Sequence, residues 1–428
     1  MLPAEWRKNE NGGSNMANIK PFRAIRPKQG LESRIAALPY DVYNRAEAKA
    51  ETQREPMSFL KIDRAETQFQ DSVDTYADVV YERAHDTFWD MVEQGEFIKE
   101  EEDCYYLYEL TMDGRKQTGI VACASIDDYV NNVIKKHENT RADKEEDRIR
   151  HVDALGAQTG PIFLAYRSKK EINRLVARIK RRKPVYAFIS PDGIRHAAWI
   201  VSRKEEIETI QTAFDNISEI YIADGHHRCA SAVKVGLKRR AEKGDYTGKE
   251  EFNYFLSVLF PNNQLKIMDY NRVVKDLNGC SKEDILETFM EIGILMNNGK
   301  VPYKPEKKED IGIYLGRTWY HLRVVIDDIP HDPVEELDVS ILQKYVLEPL
   351  FGITDPKTDK RIDFVGGIRG LKELEKRVRT DCKIAFAMYP TSISELFAVA
   401  DAGKLMPPKS TWFEPKLRSG LFIHEIDR

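Results

Sequence analysis

The stretch IYIADGHHRCASAVKVGL, from Ile220 to Leu237, constrains the fold more than any other part of the chain. Its apolar start at 220–223 predicts a buried strand, and the residues from Cys229 to Lys243 predict a helix. Residues 224–228 must then form the turn, where Gly225 allows a tight backbone. The helix N-terminus points out of such a turn, and its N–H groups and dipole favour a bound anion.

The side chains of this turn suit a phosphate. Arg228 can pair with phosphate oxygens in bidentate fashion, and His226 and His227 can donate to them as neutral or charged imidazoles. Asp224 beside that phosphate would suit Mg²⁺. Adjacent histidines diverge in direction, so metal binding by this pair alone is the weaker alternative. A structural alternative also stays open, in which Asp224 caps the helix and both imidazoles bond to backbone carbonyls.

A second polar cluster lies upstream, in the sequence KKHENTRADKEEDRIRH that runs from Lys135 to His151. Charged side chains recur in it three or four positions apart, at Arg141, Glu145, Arg148 and His151. Residues with this spacing share one face of a helix and can pair with one another. This part therefore predicts a solvated helix face.

The turn before this helix combines cations, an acid and a hydroxyl within residues 136–140. Asn139 or Thr140 is expected to cap the helix. Phosphoryl transfer needs a base that orients the acceptor hydroxyl and cations that hold the phosphates. Glu138 is the candidate base.

Composition argues against a general nucleic-acid surface. The chain has 66 Lys and Arg against 70 Asp and Glu, for a formal net charge of -4. No overall basic field results, and the one basic run, RIKRRK at 178–183, is short enough to be a solvated helix end. A DNA-binding role is therefore an alternative that the composition disfavours.

The cysteines and apolar runs indicate a cytoplasmic protein without a membrane span. The five cysteines form no C-x-x-C pair, which favours a reducing compartment. The longest apolar runs have the length of a strand. The first residues lack the apolar core of a signal peptide, and Met16 opens the sequence MANIKPF. We interpret residues 1–16 as an extension or a disordered tail.

At 428 residues the chain is long enough for two or three domains. Alternation around the turn pair Asp113–Gly114 predicts a hairpin, and the charged stretch 244–251 reads as a linker. The pattern suggests an N-terminal α+β segment, a nucleotide-binding core with an insertion, and a C-terminal α+β region. Their predicted bounds are 17–104, 105–245 with the insertion at 167–218, and 252–428.

The sequence IADGHHR, followed by a helix of small residues, resembles the nucleotide-binding turn of the ParB-like/sulfiredoxin-like superfamily, in the form found in free serine kinases. In those kinases a Lys-x-His-Glu turn carries the catalytic glutamate, and Lys135, His137 and Glu138 match it. The resemblance implies that Glu138 activates the substrate hydroxyl and that Asp224 assists it or holds a metal. It implies phosphate or nucleotide contacts from Lys135, His137, Gly225, His226, His227 and Arg228.

Nearly the whole chain after Met16 also resembles the bacterial family DUF1015. The motifs that carry this resemblance are FRAIRP, LPYDV, KKHENTRADKEEDRI, ADGHHR and MPPKSTWFEPKLRSGLF. The two resemblances together imply an α+β fold with a mixed sheet. They imply a ParB/sulfiredoxin-like nucleotide-binding core with α+β elaborations at both ends.

Two of these motifs have a plain reading from the residues alone. Pro39, Tyr40 and Asp41 in LPYDV favour a turn, although Asp41 could face the site. The polar residues of the C-terminal motif favour an ordinary loop, and the alternative is a lid or a second anion contact. Those polar residues are Lys409, Ser410, Thr411, Lys416 and Arg418.

The resulting hypothesis is Mg²⁺-dependent transfer of phosphate from ATP or ADP to the hydroxyl of a small metabolite, with free L-serine as first candidate. The alternatives are a non-catalytic nucleotide sensor and a ParB-like protein that acts with DNA. A sulfiredoxin-like reductase is disfavoured because His226 stands where that enzyme needs a reactive cysteine, and Cys229 lies beyond the arginine. The residues do not distinguish ATP, ADP and CTP.

Overall fold

The computed structural model describes residues 16–327 and 329–427. Except for Met16, the predicted extension at 1–16 lies outside the described residues. The chain forms two compact units. The first runs up to Leu265 and resumes at Pro415, and the second spans Lys266–Glu414. None of the helices within the described ranges combines the length and the apolar composition that crossing a bilayer requires.

The first unit contains the larger sheet and most of the helices. Its strands up to residue 265 are β1 (Ile19–Lys20), β2 (Ile25–Pro27), β3 (Phe97–Lys99), β4 (Tyr105–Met112), β5 (Arg115–Ser125), β6 (Ile134–Lys135), β7 (Ala157–Gln158), β8 (Ile162–Tyr166), β9 (Tyr186–Ile189), β10 (Arg195–Val201), β11 (Ile220–Asp224) and β12 (Tyr254–Pro261). Its helices are α1 (Glu32–Ile35), α2 (Arg45–Arg54), α3 (Leu60–Asp63), α4 (Asp78–Glu93), α5 (Ile126–Val130), α6 (Ala142–Leu155), α7 (Lys170–Ile179), α8 (Lys204–Phe214) and α9 (His226–Lys243).

Within the described residues, nine of these strands form one mixed sheet. Its order is β6-β11-β8-β12-β5-β4-β10-β9, and β1 pairs with β5. The β6–β11 and β8–β12 pairs are parallel, and the other neighbours are antiparallel. The predicted α+β class with a mixed sheet is confirmed. The predicted hairpin is also confirmed, because β4 and β5 join at Asp113 and Gly114, which both have positive φ.

The segment 167–218 is built into this sheet. Its strands β9 and β10 extend the sheet beyond β4. Its helices α7 and α8 bury apolar side chains such as Leu175 and Phe214 in the same core as the central strands. Burying these apolar side chains is favourable by roughly 1.5–3 kcal/mol each.

The small side chains of α9 reflect close packing. Cys229, Ala232 and Val233 lie in the core of the first unit. A Cβ built on Gly236 would lie 2.3 Å from the carbonyl oxygen of Phe252, a distance that no side chain tolerates. Small residues therefore let α9 approach its neighbours closely.

Strand β12 lies between β8 and β5 in the first unit, whereas the sequence analysis assigned it to the C-terminal region. All residues of β12 after Tyr254 are buried. An apolar run without alternation suits a strand covered on both faces, and the centre of the sheet provides that cover.

The second unit is built on an antiparallel sheet of six strands within the described residues, ordered β15-β17-β16-β19-β14-β18. Its strands are β13 (Ile267–Met268), β14 (Tyr270–Val274), β15 (Gly293–Gly299), β16 (Asp310–Leu315), β17 (Thr318–Val324), β18 (Ile362–Gly366), β19 (Ile384–Met388) and β20 (Trp412–Phe413). Its α-helices are α10 (Lys282–Ile292), α11 (Asp338–Leu342), α12 (Glu348–Phe351), α13 (Gly370–Thr380) and α14 (Ile393–Asp401). Strands β16 and β17 form a hairpin in this unit.

The last residues of the chain return to the first unit. Strand β21 (His424–Glu425) pairs with β7. Leu421, Phe422 and Ile423 just before it are buried. The C-terminal motif thus ends inside the unit that carries the Asp224–Arg228 turn.

Candidate functional site

Two parallel strands bring the two polar clusters together. In the pairing of β6 with β11, Lys135 lies opposite Tyr221. Parallel neighbours run in the same direction, so the chain leaves both strands at the same edge of the sheet. The residues that follow β6 therefore lie beside the turn at 224–228, although the two segments are far apart in sequence.

The turn after β11 has the backbone geometry of an anion site. Gly225 has φ 93°, and a Cβ built on it would lie 2.9 Å from Nη2 of Arg228. Helix α9 begins directly afterwards at His226, earlier than the predicted start at Cys229, and Gly225 rather than Asp224 occupies the capping position. Because no side chain among the described residues caps this helix, its first N–H groups and its dipole face the turn.

Asp224 lies between two cations. Nζ of Lys416 is 3.3 Å from its Oδ1, and Nη2 of Arg228 is 3.3 Å from its Oδ2. The other terminal nitrogen of Arg228 donates to the carbonyl of Pro161 at 2.7 Å. Burial alone would raise the pKa of Asp224, but Lys416 and Arg228 outweigh burial and lower the pKa to about 2. One carboxylate and two cations thus leave a net positive charge at the turn.

Glu138 faces a buried pair of imidazoles. The rings of His137 and His226 meet edge to face with their centroids 4.5 Å apart. Nδ1 of His226 lies 3.9 Å from a carboxylate oxygen of Glu138, whose side chain is 36% exposed. Burial lowers the pKa of His137 to about 4 and the pKa of His226 well below its usual value. Both imidazoles are therefore neutral at physiological pH.

The remaining candidate contacts, His227 and Lys135, adjoin the turn through backbone groups. Nε2 of His227 accepts a hydrogen bond from the backbone N–H of Arg141 at 3.0 Å. Lys135 lies in β6, where its backbone pairs with Tyr221. His227 thereby fixes the turn to the start of α6.

The start of α6 differs from the prediction. Arg141 occupies the capping position, so neither Asn139 nor Thr140 caps the helix. The hydroxyl of Thr140 donates instead to the carboxylate of Glu145, which also pairs with Lys234 of α9. Thr140 therefore donates a hydrogen bond to a buried acid and does not cap the helix.

The predicted solvated face of α6 is wrong at three of its four positions. Arg141 is exposed, but Glu145, Arg148 and His151 are buried, and so is Asp147 next to Arg148. Helix α6 packs against α4 and α9, and side chains from both helices reach it. Tyr81 of α4 donates to Asp147 at 2.9 Å, and Ser231 of α9 donates to the carbonyl of Glu145 at 3.0 Å. Buried charges must be paired, and Arg148 pairs with Asp147 at 2.9 Å.

A small cavity adjoins Arg228. Its volume is about 30 Å³, and Gly160 and Ser419 are among the residues that line it. This volume corresponds to roughly one water molecule. A phosphate held by Arg228 would therefore bind outside this cavity, toward the N-terminus of α9.

A larger cavity of about 270 Å³ shares a wall with the small one. The residues that line both are Tyr40, Asp63, Arg148 and His151. The Arg148 guanidinium lies 4.0 Å from the centre of the Tyr40 ring. Sequence reasoning assigned none of these four residues to the site. Tyr40 belongs to the motif LPYDV, which could have indicated its position at the site. The residues of this motif alone favoured a turn.

The C-terminal motif contributes one residue to the site and one structural anchor. Lys416 reaches Asp224. Arg418 is buried, donates to the hydroxyl of Ser190 at 3.0 Å and pairs with Asp192. The sequence favoured an ordinary loop for this motif, and a lid or an anion contact that includes Lys416 was only the alternative.

Comparison with protein families finds a match over most of the chain. A sequence model of the family described as "Protein of unknown function (DUF1015)" matches residues 19–340. The comparison with curated proteins finds no match.

The comparison with solved structures finds chains with low sequence identity and low TM-scores. A variant of free serine kinase in complex with ADP is 14% identical, with a TM-score of 0.35, and the alignment covers 71% of this chain and 92% of that chain. SbnI from Staphylococcus aureus is 12% identical, with a TM-score of 0.38 and coverage of 71% and 87%. A conserved hypothetical protein from Pyrococcus furiosus is 17% identical, with a TM-score of 0.33 and coverage of 72% and 96%.

Proposed function

The chain belongs to the DUF1015 family, and for this member we propose a nucleotide-dependent phosphotransferase that acts on the hydroxyl of a small metabolite. The donor is ATP or ADP, and the acceptor is a free hydroxyl amino acid, with L-serine as first candidate. The observation that carries the proposal is the parallel pairing of β6 with β11, which brings Glu138 beside the turn at 224–228.

The donor phosphates bind at the N-terminus of α9. Uncapped N–H groups and the helix dipole attract an anion there. Arg228 and Lys416 add two cations, which the ionised Asp224 keeps next to each other before the nucleotide arrives. Charge-assisted hydrogen bonds from these cations to phosphate oxygens are roughly twice as strong as neutral ones.

Glu138 accepts the proton of the acceptor hydroxyl. Its partly exposed side chain is within reach of a ligand that enters from solvent. Because His226 is neutral, its contact with Glu138 is not an ion pair. A general base must lie within hydrogen-bond reach of the hydroxyl it deprotonates, and the segment after β6 gives Glu138 that position next to the phosphate turn.

Magnesium enters this reaction as part of the substrate, the Mg²⁺–nucleotide complex. Asp224 suits a resident Mg²⁺ poorly, because each of its carboxylate oxygens already faces a cation 3.3 Å away. Mg²⁺ on the nucleotide neutralises phosphate charge. The chain supplies the helix N-terminus, Arg228 and Lys416 for the phosphates and Glu138 for the proton.

The acceptor binds with its body in the larger cavity and with its hydroxyl extended toward Glu138, which lines neither cavity. Its volume of about 270 Å³ is ample for a free amino acid, and it shares a wall with the cavity next to Arg228. Tyr40 and Arg148 form part of that wall. A polar, charged lining of this kind fits a small hydrophilic metabolite better than an apolar one.

The proposal is tested by product formation. The purified protein is incubated with Mg²⁺, with ATP or ADP, and with L-serine, L-threonine or L-homoserine, and phosphorylated product is followed by ³¹P NMR. A phosphomonoester signal that depends on both nucleotide and acceptor supports the phosphotransferase. Nucleotide binding without product from any acceptor would support the non-catalytic sensor instead.

Replacing Arg228 with alanine is expected to weaken nucleotide binding by about 1.5–3 kcal/mol, which corresponds to roughly tenfold or more in Kd. The reason is the loss of charge-assisted hydrogen bonds to a phosphate. The measurement is isothermal titration calorimetry with ATP and with ADP, together with a melting curve that confirms folding.

Arg181→Ala is the matched control, since Arg181 is an exposed arginine in the basic run after α7. This control should bind nucleotide as the unchanged protein does. An unchanged affinity in a folded Arg228→Ala variant would remove Arg228 from the nucleotide site.

A further inference from the structure

Three potential metal ligands meet between the end of β6 and the first turn of α9. His137, Glu138 and His226 each offer one ligand atom, and these atoms all lie within 4.8 Å of one another. The two imidazole rings are nearly perpendicular, at 88°. A small closure of the side chains would bring all three atoms to the distances of about 2.0–2.2 Å from one ion that zinc sites show.

His226 has an unexplained nitrogen in this cluster. Its side chain is 7% exposed, and its Nε2 is buried without a hydrogen-bond partner among the described residues. Leaving a buried polar group unsatisfied costs about 1–3 kcal/mol, so such a group calls for a reason. A bound ion is one of the few that fit an imidazole nitrogen.

His137 is held as metal-binding histidines commonly are. Its buried ring makes a hydrogen bond to the backbone of Ile222 in β11. In metal sites a hydrogen bond from one ring nitrogen to a carbonyl orients the imidazole and leaves the second nitrogen for the ion.

Exposure and ligand type favour a transition-metal ion at this cluster. Glu138 is the most exposed member of the three, so an ion can enter from its side and keep a coordination position open to solvent or ligand. Two nitrogens and one carboxylate oxygen are typical of zinc and related ions, whereas Mg²⁺ prefers oxygen ligands only.

We propose that His137, Glu138 and His226 bind one divalent first-row transition-metal ion of the class of Zn²⁺ and Co²⁺. The proposal does not depend on phosphotransfer, and it is tested without nucleotide. An ion at this position would occupy the carboxylate that the proposed reaction uses as its base, so the metal-loaded and the phosphotransferring states exclude each other.

The test is a titration of the full chain with the metal alone. Protein freed of metal with a chelator is titrated with Zn²⁺ by calorimetry and with Co²⁺ by visible absorption, which reports the ligand field. We expect one ion per chain. His226→Gln should weaken binding by on the order of 100-fold or more, because even outer-shell partners of metal ligands are worth 10–100-fold.

His227→Gln is the matched control. His227 is adjacent in sequence but bonds to the Arg141 backbone and is not part of the cluster, so this variant should bind as the unchanged protein does. Circular dichroism spectra verify that both variants are folded. The proposal is overturned if the unchanged protein binds no stoichiometric ion, or if His226→Gln and His227→Gln bind equally well.

Discussion

Replacing Glu138 with glutamine is expected to lower the rate of phosphotransfer by about 10²–10⁴-fold and to leave nucleotide affinity nearly unchanged. This factor is what a positioned general base contributes. Glutamine keeps the size of the side chain but does not take up the hydroxyl proton. The initial rate of phosphomonoester formation at saturating nucleotide and the Kd from calorimetry measure the two quantities separately.

Glu146→Gln is the control for this variant. Glu146 is an exposed acid on α6 that lies outside the two turns at 136–140 and 224–228, so its replacement should leave both rate and affinity unchanged. A Glu138→Gln variant that reacts at the original rate would exclude Glu138 as the base. If affinity instead fell as much as the rate, Glu138 would act in binding the nucleotide.

Local patterns in the sequence predicted the elements around the site well. The apolar run before Asp224 predicted β11, and the structure adds one residue to that strand. The helix after the turn was predicted too short by three residues at its start, because the two histidines directly after Gly225 are weaker helix formers than leucine or arginine and were assigned to the turn. Such local preferences define the elements but not which elements meet.

The meeting of the two polar clusters depends on a long-range contact that no local pattern reveals. Strand β6 is two residues long, and its pairing with β11 is what brings Glu138 to the turn. Short strands carry little periodicity, so the sequence alone offered only the resemblance to a known motif as a reason to join the clusters.

The burial of α6 was missed for a related reason. Charges three or four positions apart indicate an exposed face when only one neighbour covers the helix. Here α4 and α9 both pack against α6, so Arg148 and Asp147 become a buried pair. Arg148 and His151, which line both cavities, were therefore predicted to be exposed to solvent.

Breaking the buried ion pair of Arg148 and Asp147 is expected to destabilise the protein strongly. Arg148→Met is expected to lower the free energy of unfolding by about 3–5 kcal/mol, because it leaves the Asp147 carboxylate buried without its cation. Of the two hydrogen bonds that the structure assigns to this carboxylate, the one from Tyr81 would remain. Urea unfolding followed by circular dichroism measures the loss, and hydrogen exchange tests whether α6 is where protection falls.

Two further variants separate charge burial from simple loss of a side chain. Arg141→Met removes an arginine whose partner Asp143 is, like itself, 58% exposed, and such a pair should contribute only about 0–1 kcal/mol. Adding Asp147→Asn to Arg148→Met should restore part of the lost stability, since no unpaired charge then stays buried. If Arg148→Met costs no more than Arg141→Met, the wall between the cavities is not held by this ion pair.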